Sequence, residues 1–333
     1  MAMGVVTILM TLLGWSSVPL ILKHFSGAMD PWTSNGWRYG FAAFLWAPVL
    51  LLAVARSRLP ARLWRAAIVP SAFNITGQVL FTWAHYLIDP GLLTFGLRVQ
   101  ILFVAAGAFL LFPSERRLIR SAGFLVGAGM VLLGTVGTAL LTPQAATKAH
   151  ALGVVMAVGS GALFAGYALS VRKWMHGIHP VLAFSAISQY TAAGMIVLMV
   201  LVGERMGAAP LGLTGGQLGL LLFSSVIGIA LGHVFYYISI ARLGVAVSSG
   251  VIQLQPFVVT AASAGLFEER LTPWQIVSGV VAVSGAALVL LTQHRLNQRA
   301  VPSAAPAADE LEDQLDDDPG TGPGAPAIPS PVR

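Results

Sequence analysis

Residues 244–291 read GVAVSSGVIQLQPFVVTAASAGLFEERLTPWQIVSGVVAVSGAALVLL, and the way that run divides decides the fold. It is apolar to Phe267, breaks at Glu268-Glu269-Arg270 and resumes at Pro273 with glycines spaced along an otherwise apolar segment. The pattern predicts two membrane-length helices joined by a tight acidic turn. In the first helix Ser249, Gln253, Pro256 and Thr260 recur at i, i+4, i+7 and i+11, which sets four polar or helix-weakening residues on one face. That face is expected to meet something other than lipid.

The same plan occurs earlier in the chain. GLRVQILFVAAGAFLLF, from Gly96, lies over VIQLQPFVVTAASAGLF, from Val251, and Glu115-Arg116 lies over Glu269-Arg270. The glycine-spaced SAGFLVGAGMVLLG then lies over VSGVVAVSGAALVL. In this overlay Arg98 stands where the later copy has Gln253, and Ile101 where it has Pro256. Asp30-Pro31 and His179-Pro180 each open an apolar helix, a second pair of matching positions. These correspondences predict two five-helix halves, 1–145 and 146–294, followed by a tail, 295–333.

Composition places the chain in a membrane before any motif is consulted. It is 56% hydrophobic and 10% charged, more apolar surface than a soluble protein of this size can keep from water. Segments of about 20 residues, enough to cross roughly 30 Å of hydrocarbon, fall at 3–23, 32–55, 64–87, 91–112, 119–141, 152–171, 181–203, 218–240, 245–267 and 274–292. The expected fold is therefore all-α integral membrane, ten transmembrane helices in two inverted five-helix repeats. No clear cleavage motif follows the first segment, which reads as a helix and not a signal peptide. The tail is rich in Gly, Ala and Pro, with acids clustered from Asp309 to Asp318, a composition expected to stay disordered. A docking peptide is the alternative reading of those acids.

The basic residues orient the helices. Loops after even-numbered helices and the start of the tail carry Arg56, Arg58, Arg62, Arg65, Arg116, Arg117, Arg120, Arg172, Lys173, Arg242, Arg295 and Arg299. The opposite loops carry Lys23, Lys148, Arg205 and Arg270. By the positive-inside bias both termini are cytoplasmic. With an odd number of helices per half, the second copy enters from the opposite side, the inverted-repeat plan of many secondary transporters.

With those residues in place the chain resembles the drug/metabolite transporter superfamily, in its EamA-domain branch. The resemblance is carried by GWSSVPLILK in the first helix, Arg38 in the second, QPF in the ninth, and Glu269, Gly279 and Gly285 closing the second half. It implies a multi-pass protein of the cell's inner membrane that exports or exchanges small metabolites through a central cavity, with the fifth and tenth helices peripheral.

Read from the residues alone, the third helix places Asn74, Gln78, Thr82 and His85 on one stripe. Such groups are costly against lipid and belong against protein or water, as cavity walls or as bonds to neighbouring helices. Trp15 with Ser16, Tyr167 with Ser170, and Gln189 with its neighbours are wall candidates that packing explains equally well. His233, Tyr236 and Tyr237 crowd the eighth helix, where aromatic rings suit a flat substrate. The candidate substrate-binding set is thus Trp15, Arg38, Asn74, Gln78, His85, Arg98, Tyr167, Gln189, His233, Tyr237, Gln253 and Pro256.

Arg38 and Arg98 lie seven residues into helices that run in the same direction, or roughly 10 Å deep at 1.5 Å per residue. No acid at that depth pairs them, so an anionic or zwitterionic substrate is one reading and carbonyl-satisfied fixtures the other. Since no Asp or Glu lies deep within a span, His85 and His233 are the titrating groups available to a relay there. Gly123 and Gly127 form a GxxxG, open to a homodimer contact or to packing within one chain.

No nucleotide-binding loop or metal-ligand spacing occurs, and no cofactor or nucleic-acid partner is expected. The seven histidines are scattered, which disfavours the alternative of a membrane-embedded enzyme acting on a lipid-linked substrate. A receptor or scaffold lacks a soluble domain to act through. The expected partners are the bilayer and a small molecule.

Overall fold

Proline does much of the work of starting these helices, because its missing N–H is harmless in a first turn. In the computed structural model, which describes residues 2–56, 59–111, 119–141, 147–243, 251–269 and 271–300, all regular elements among them are helical. They are α1 (Ala2–Phe25), α2 (Pro31–Ala55), α3 (Leu63–Leu87), α4 (Pro90–Gly96), a 3₁₀ turn (Leu97–Val99), α5 (Gln100–Leu111) and α6 (Ala122–Leu140). Then follow α7 (Lys148–Trp174), α8 (Pro180–Val202), α9 (Gly215–Ser225), a π turn (Val226–Ala230), α10 (Gly232–Leu243), α11 (Gln255–Leu266) and α12 (Pro273–Ala300). Ser249, Glu115, Arg116, Arg270 and the tail beyond 300 lie outside the described residues.

Each expected segment finds a helix, and 8 spans among the described residues are long and apolar enough to cross a membrane. The two that fall outside that set are α3, which carries the polar stripe, and α11, whose described part is 12 residues long. The fourth segment is split by its 3₁₀ turn and the eighth by its π turn.

The predicted starts are made by the expected chemistry. Asp30 accepts from the backbone N–H of Trp32 and Thr33, each at 3.0 Å, ahead of Pro31. His179 Nδ1 accepts from Val181 N at 3.3 Å ahead of Pro180. Thr214 and Gln217 form a reciprocal capping box on α9.

One expectation needs correcting. The ninth segment was expected to be one span, 245–267, weakened within at Pro256, yet a turn at Gln253-Leu254 interrupts it and a new helix starts at Gln255. Pro256 thus sits in the first turn of α11, a position that proline tolerates.

Helices before residue 146 pair mainly with helices after it. Within the unit Met1–His294, α3 lies along α7, α2 along α8, α1 along α10, and α4 against α11. The GxxxG face is covered inside the chain: a Cβ at Gly127 would stand 2.7 Å from Gly285 O, and one at Gly285 2.6 Å from Gly127 O. Backbone against backbone cannot give way, so α6 and α12 approach this closely only through glycine. Of the two readings of that motif, packing within one chain accounts for it.

Candidate functional site

At the end of α7 and the start of α8 the helices part around a cavity of about 260 Å³, lined by Tyr167, Val171, Arg172, Met175, Phe184 and neighbours. Its Phe184 wall continues inward as an aromatic cluster. Phe184 stacks on His233 at 4.9 Å, Trp15 meets His233 edge-on at 5.4 Å, and Trp15 lies 5.2 Å from Tyr236.

The π turn holds this cluster. Its extra residue makes Leu231 N donate to Val226 O at 2.7 Å, the i to i+5 bond, and frees carbonyls toward the bundle. Gly228 O accepts from Trp15 Nε1 at 3.2 Å, and Ile229 O bonds His233 Nδ1 at 3.2 Å. A side chain at Gly228 would strike Val18, and one at Gly232 would strike Trp15. The two glycines are what let α1 come this close.

Next to the cluster, Arg98 ties the two broken helices together. Its Nε donates to Thr94 O at 3.1 Å, Nη1 to Ile252 O and to Gln253 Oε1 at 3.2 Å each, and Nη2 to Gln255 Oε1 at 3.1 Å. In an unbroken helix Ile252 O would take the N–H of position 256, which proline lacks, and here Arg98 is the donor that it has. Gln255 then donates Nε2 to Trp15 O at 2.8 Å, joining the arginine to the aromatic cluster. Restoring the N–H with Pro256→Ala offers Ile252 O a competing donor worth about 1 kcal/mol. The expected result is transport slowed about three- to tenfold with less change in ligand affinity. Vesicle flux against equilibrium binding checks this, and equal changes in both would make the break a static one.

Arg38 is held differently. It is 2% exposed, its Nε donates to Ser224 Oγ at 2.9 Å, and its Nη1 has no partner. It lies across the π turn from Trp15, with Nη2 3.9 Å from where a Gly228 Cβ would be. His85, wholly buried, bonds Phe81 O through Nδ1 at 2.7 Å and leaves Nε2 without a partner. Thr82 donates to Asn35 Oδ1 at 2.8 Å, which brings the Asn35–Arg38 turn of α2 against the Thr82–His85 turn of α3.

The other candidates divide. Asn74 donates to Thr191 Oγ1 at 3.2 Å and Gln189 Nε2 to Ala43 O at 2.8 Å, both bonds between helices. The half-buried Gln78 side chain makes no hydrogen bond among the described residues, although its backbone oxygen accepts from Asn35. Tyr167 lines the cavity, and the Tyr237 side chain lies outside the described residues. Gln255, Phe184, Ser224 and the π turn were missing from the sequence-based set. Gln255 was within reach, being the first letter of the QPF motif.

Residues 151–291 match the model of the EamA-like transporter family. Over those residues the chain is similar to EamA-like transporters. The resemblance read from the sequence holds over residues 151–291. No curated protein matches the chain. A crystal structure titled only "Crystal structure of protein" has a TM-score of 0.57 at 16% identity, over 88% of this chain and 98% of that one. That likeness is one of fold alone.

Proposed function

We propose that the protein is a secondary transporter that exports or exchanges a small anionic or zwitterionic metabolite by alternating access, standing here open to the cytoplasm. The observation that carries this reading is the contrast between the two ends of the bundle. The cavity opens beside Arg172 and His176, among the basic loops. At the opposite end α1, the α3–α4 junction and the turn after α11 are tied through Lys23, whose Nζ reaches both Asp89 and Glu269. Between them stand the aromatic cluster, Arg98 and Arg38.

Support for two inverted five-helix halves comes from the pairings. If the first helix corresponds to the sixth and the third to the eighth, then α3 with α7 and α1 with α10 are the same contact made twice. The second and seventh helices, α2 and α8, are then self-paired, as are α4 with α11 and α6 with α12. Arg98 and Gln253, equivalent positions in the sequence overlay, touch one another, as residues beside a pseudo-two-fold axis do. The family match falls inside 146–294, the second half by this division.

In the working cycle substrate enters from the cavity, its apolar or flat part packs on Phe184, Trp15 and Tyr236, and its negative group is drawn to Arg38 as the helices close behind it. The breaks at Leu97–Val99 and Gln253-Leu254 supply bending points at matching depth. Purified protein in vesicles, given amino acids, nucleosides and cationic drugs in counterflow, tests this. Anionic or zwitterionic solutes are expected to accumulate, and Val171→Trp, which fills the cavity, to cut flux at least about tenfold, or ~1.4 kcal/mol, at an unchanged melting temperature. Movement of no solute class, or full flux through Val171→Trp, would overturn the reading.

A further inference from the structure

We infer that Lys23, Asp89, Ser263 and Glu269 form a proton-operated latch on the face away from the basic loops, closed while Asp89 is protonated and released when that proton leaves. The inference rests on the alternating-access reading for what the latch opens, and on its own geometry for how it works.

Three separate pieces of chain meet in it. Lys23, in the last turn of α1, places Nζ 3.0 Å from Glu269 Oε1 and 3.7 Å from Asp89 Oδ1. Ser263, buried in α11, donates to Glu269 Oε2 at 2.6 Å. The turn that carries Glu269 back over α11 passes through Glu268 at φ 57°, in the left-handed region that a non-glycine residue seldom occupies. Beneath the charges α4 and α11 are in contact, since a Cβ at Gly91 would stand 2.5 Å from Thr260 Oγ1. Drawing these ends together therefore closes the bundle on this side.

One ammonium faces two carboxyl groups, an imbalance of one negative charge that a single proton on Asp89 removes. Burial, and then the charge and hydrogen bond of Glu269, push the Asp89 carboxyl above the usual carboxylate range, with Lys23 opposing. The sign follows from that direction. A carboxyl whose affinity for protons is raised in the closed form stabilises that form below its raised pKa, and the stabilisation is lost as pH rises through it. Two carboxylates left against one ammonium then repel, and the latch opens. Among the described residues the other titratable groups around it are His24, whose ring turns to Phe25, His85, whose ring lies on Phe81, and Glu268 in the turn itself.

The chain has no cysteine, so a single introduced thiol reports the latch directly. Thr260→Cys places it under the closure, where its oxygen counterpart is buried and without a partner. Labelling by a membrane-impermeant maleimide from the face away from the basic loops, in vesicles, is followed against the pH on that face. Each rate is divided by that of the Asp89→Asn, Thr260→Cys protein at the same pH, which removes the thiol's own titration. The normalised rate is expected to rise with pH by up to about tenfold per unit, the limit for one linked proton. Glu269→Gln, a second variant in case the first folds poorly, is expected to flatten the profile, and Lys23→Gln to raise labelling at every pH. A normalised rate independent of pH would overturn the latch, as would a Lys23→Gln protein that labels no faster. The labelling needs no substrate, so a working latch in a protein that moves no solute would count against the transport reading alone.

Discussion

Arg98→Met is expected to abolish transport and to lower stability by about 3 kcal/mol, because it removes one donor group and leaves four acceptors behind. A buried guanidinium is expensive to desolvate, and replacing a whole buried charged network by apolar residues is often harmless. Here the partners remain. Ile252 O has no helical N–H to turn to, since position 256 is proline, and Gln253 and Gln255 lose the cation that both of their oxygens face. At roughly 1–3 kcal/mol for each buried acceptor left unsatisfied, the loss exceeds the desolvation that is recovered. Gln255 also orients Trp15 through its backbone oxygen, so the aromatic cluster loosens with the bridge.

Adding Pro256→Ala to Arg98→Met separates the two contributions. The new N–H satisfies Ile252 O, and stability is expected to recover by about 1 kcal/mol while transport stays absent. Thermal melts in detergent and vesicle flux read the two effects. An Arg98→Met protein that carries substrate at the wild-type rate would show that the bridge between α4 and α11 is not needed.

The bridge also marks where reading along the chain stops. Helix positions were legible because apolar runs of membrane length bounded by Asp-Pro, His-Pro and acidic turns leave little choice. Pro256 leaves the Ile252 carbonyl without a helical N–H, and that carbonyl is used by Arg98. What the proline did not reveal is that the helix restarts there, since proline tolerates both a kink and a first turn. The matching break at Leu97–Val99 has no proline at all; it follows Gly96 and is held by the bonds of Arg98, which depend on residues more than 150 positions away. The π turn was hidden for the same reason. VIGIA is ordinary helix sequence, and only the approach of Trp15 and Val18 to Gly228 gives the extra residue its use. The polar stripe on α3 was visible as a stripe, but whether each member faces a neighbouring helix or an opening was settled by that neighbour: Thr191 took Asn74, and nothing took His85 Nε2.

Arg38 is the other group whose chemistry is unfinished, and Arg38→Gln is expected to discriminate between substrates by charge. Its guanidinium keeps one partner, Ser224, and an unpaired Nη1, with the Ser34 hydroxyl one turn away and His85 Nε2 also unpartnered. Placing an arginine near the middle of a span costs about 2.5–3.5 kcal/mol on insertion scales, which a single serine bond does not offset. Arg98 lies in a similar position but its donors are spent on carbonyls and glutamines, so of the two arginines only Arg38 retains capacity for an anion. A fork–fork contact with a carboxylate or phosphate would use Nη1 and recover that cost in the loaded state alone. Removing the charge is then expected to weaken anionic and zwitterionic ligands by about a hundredfold, ~3 kcal/mol, and to leave cationic ligands unchanged. Arg38→Lys keeps the charge without the fork and should fall between. Binding of all three ligand classes to folded Arg38→Gln protein is the measurement, and equal loss across them would make Arg38 a structural post between α2 and α9.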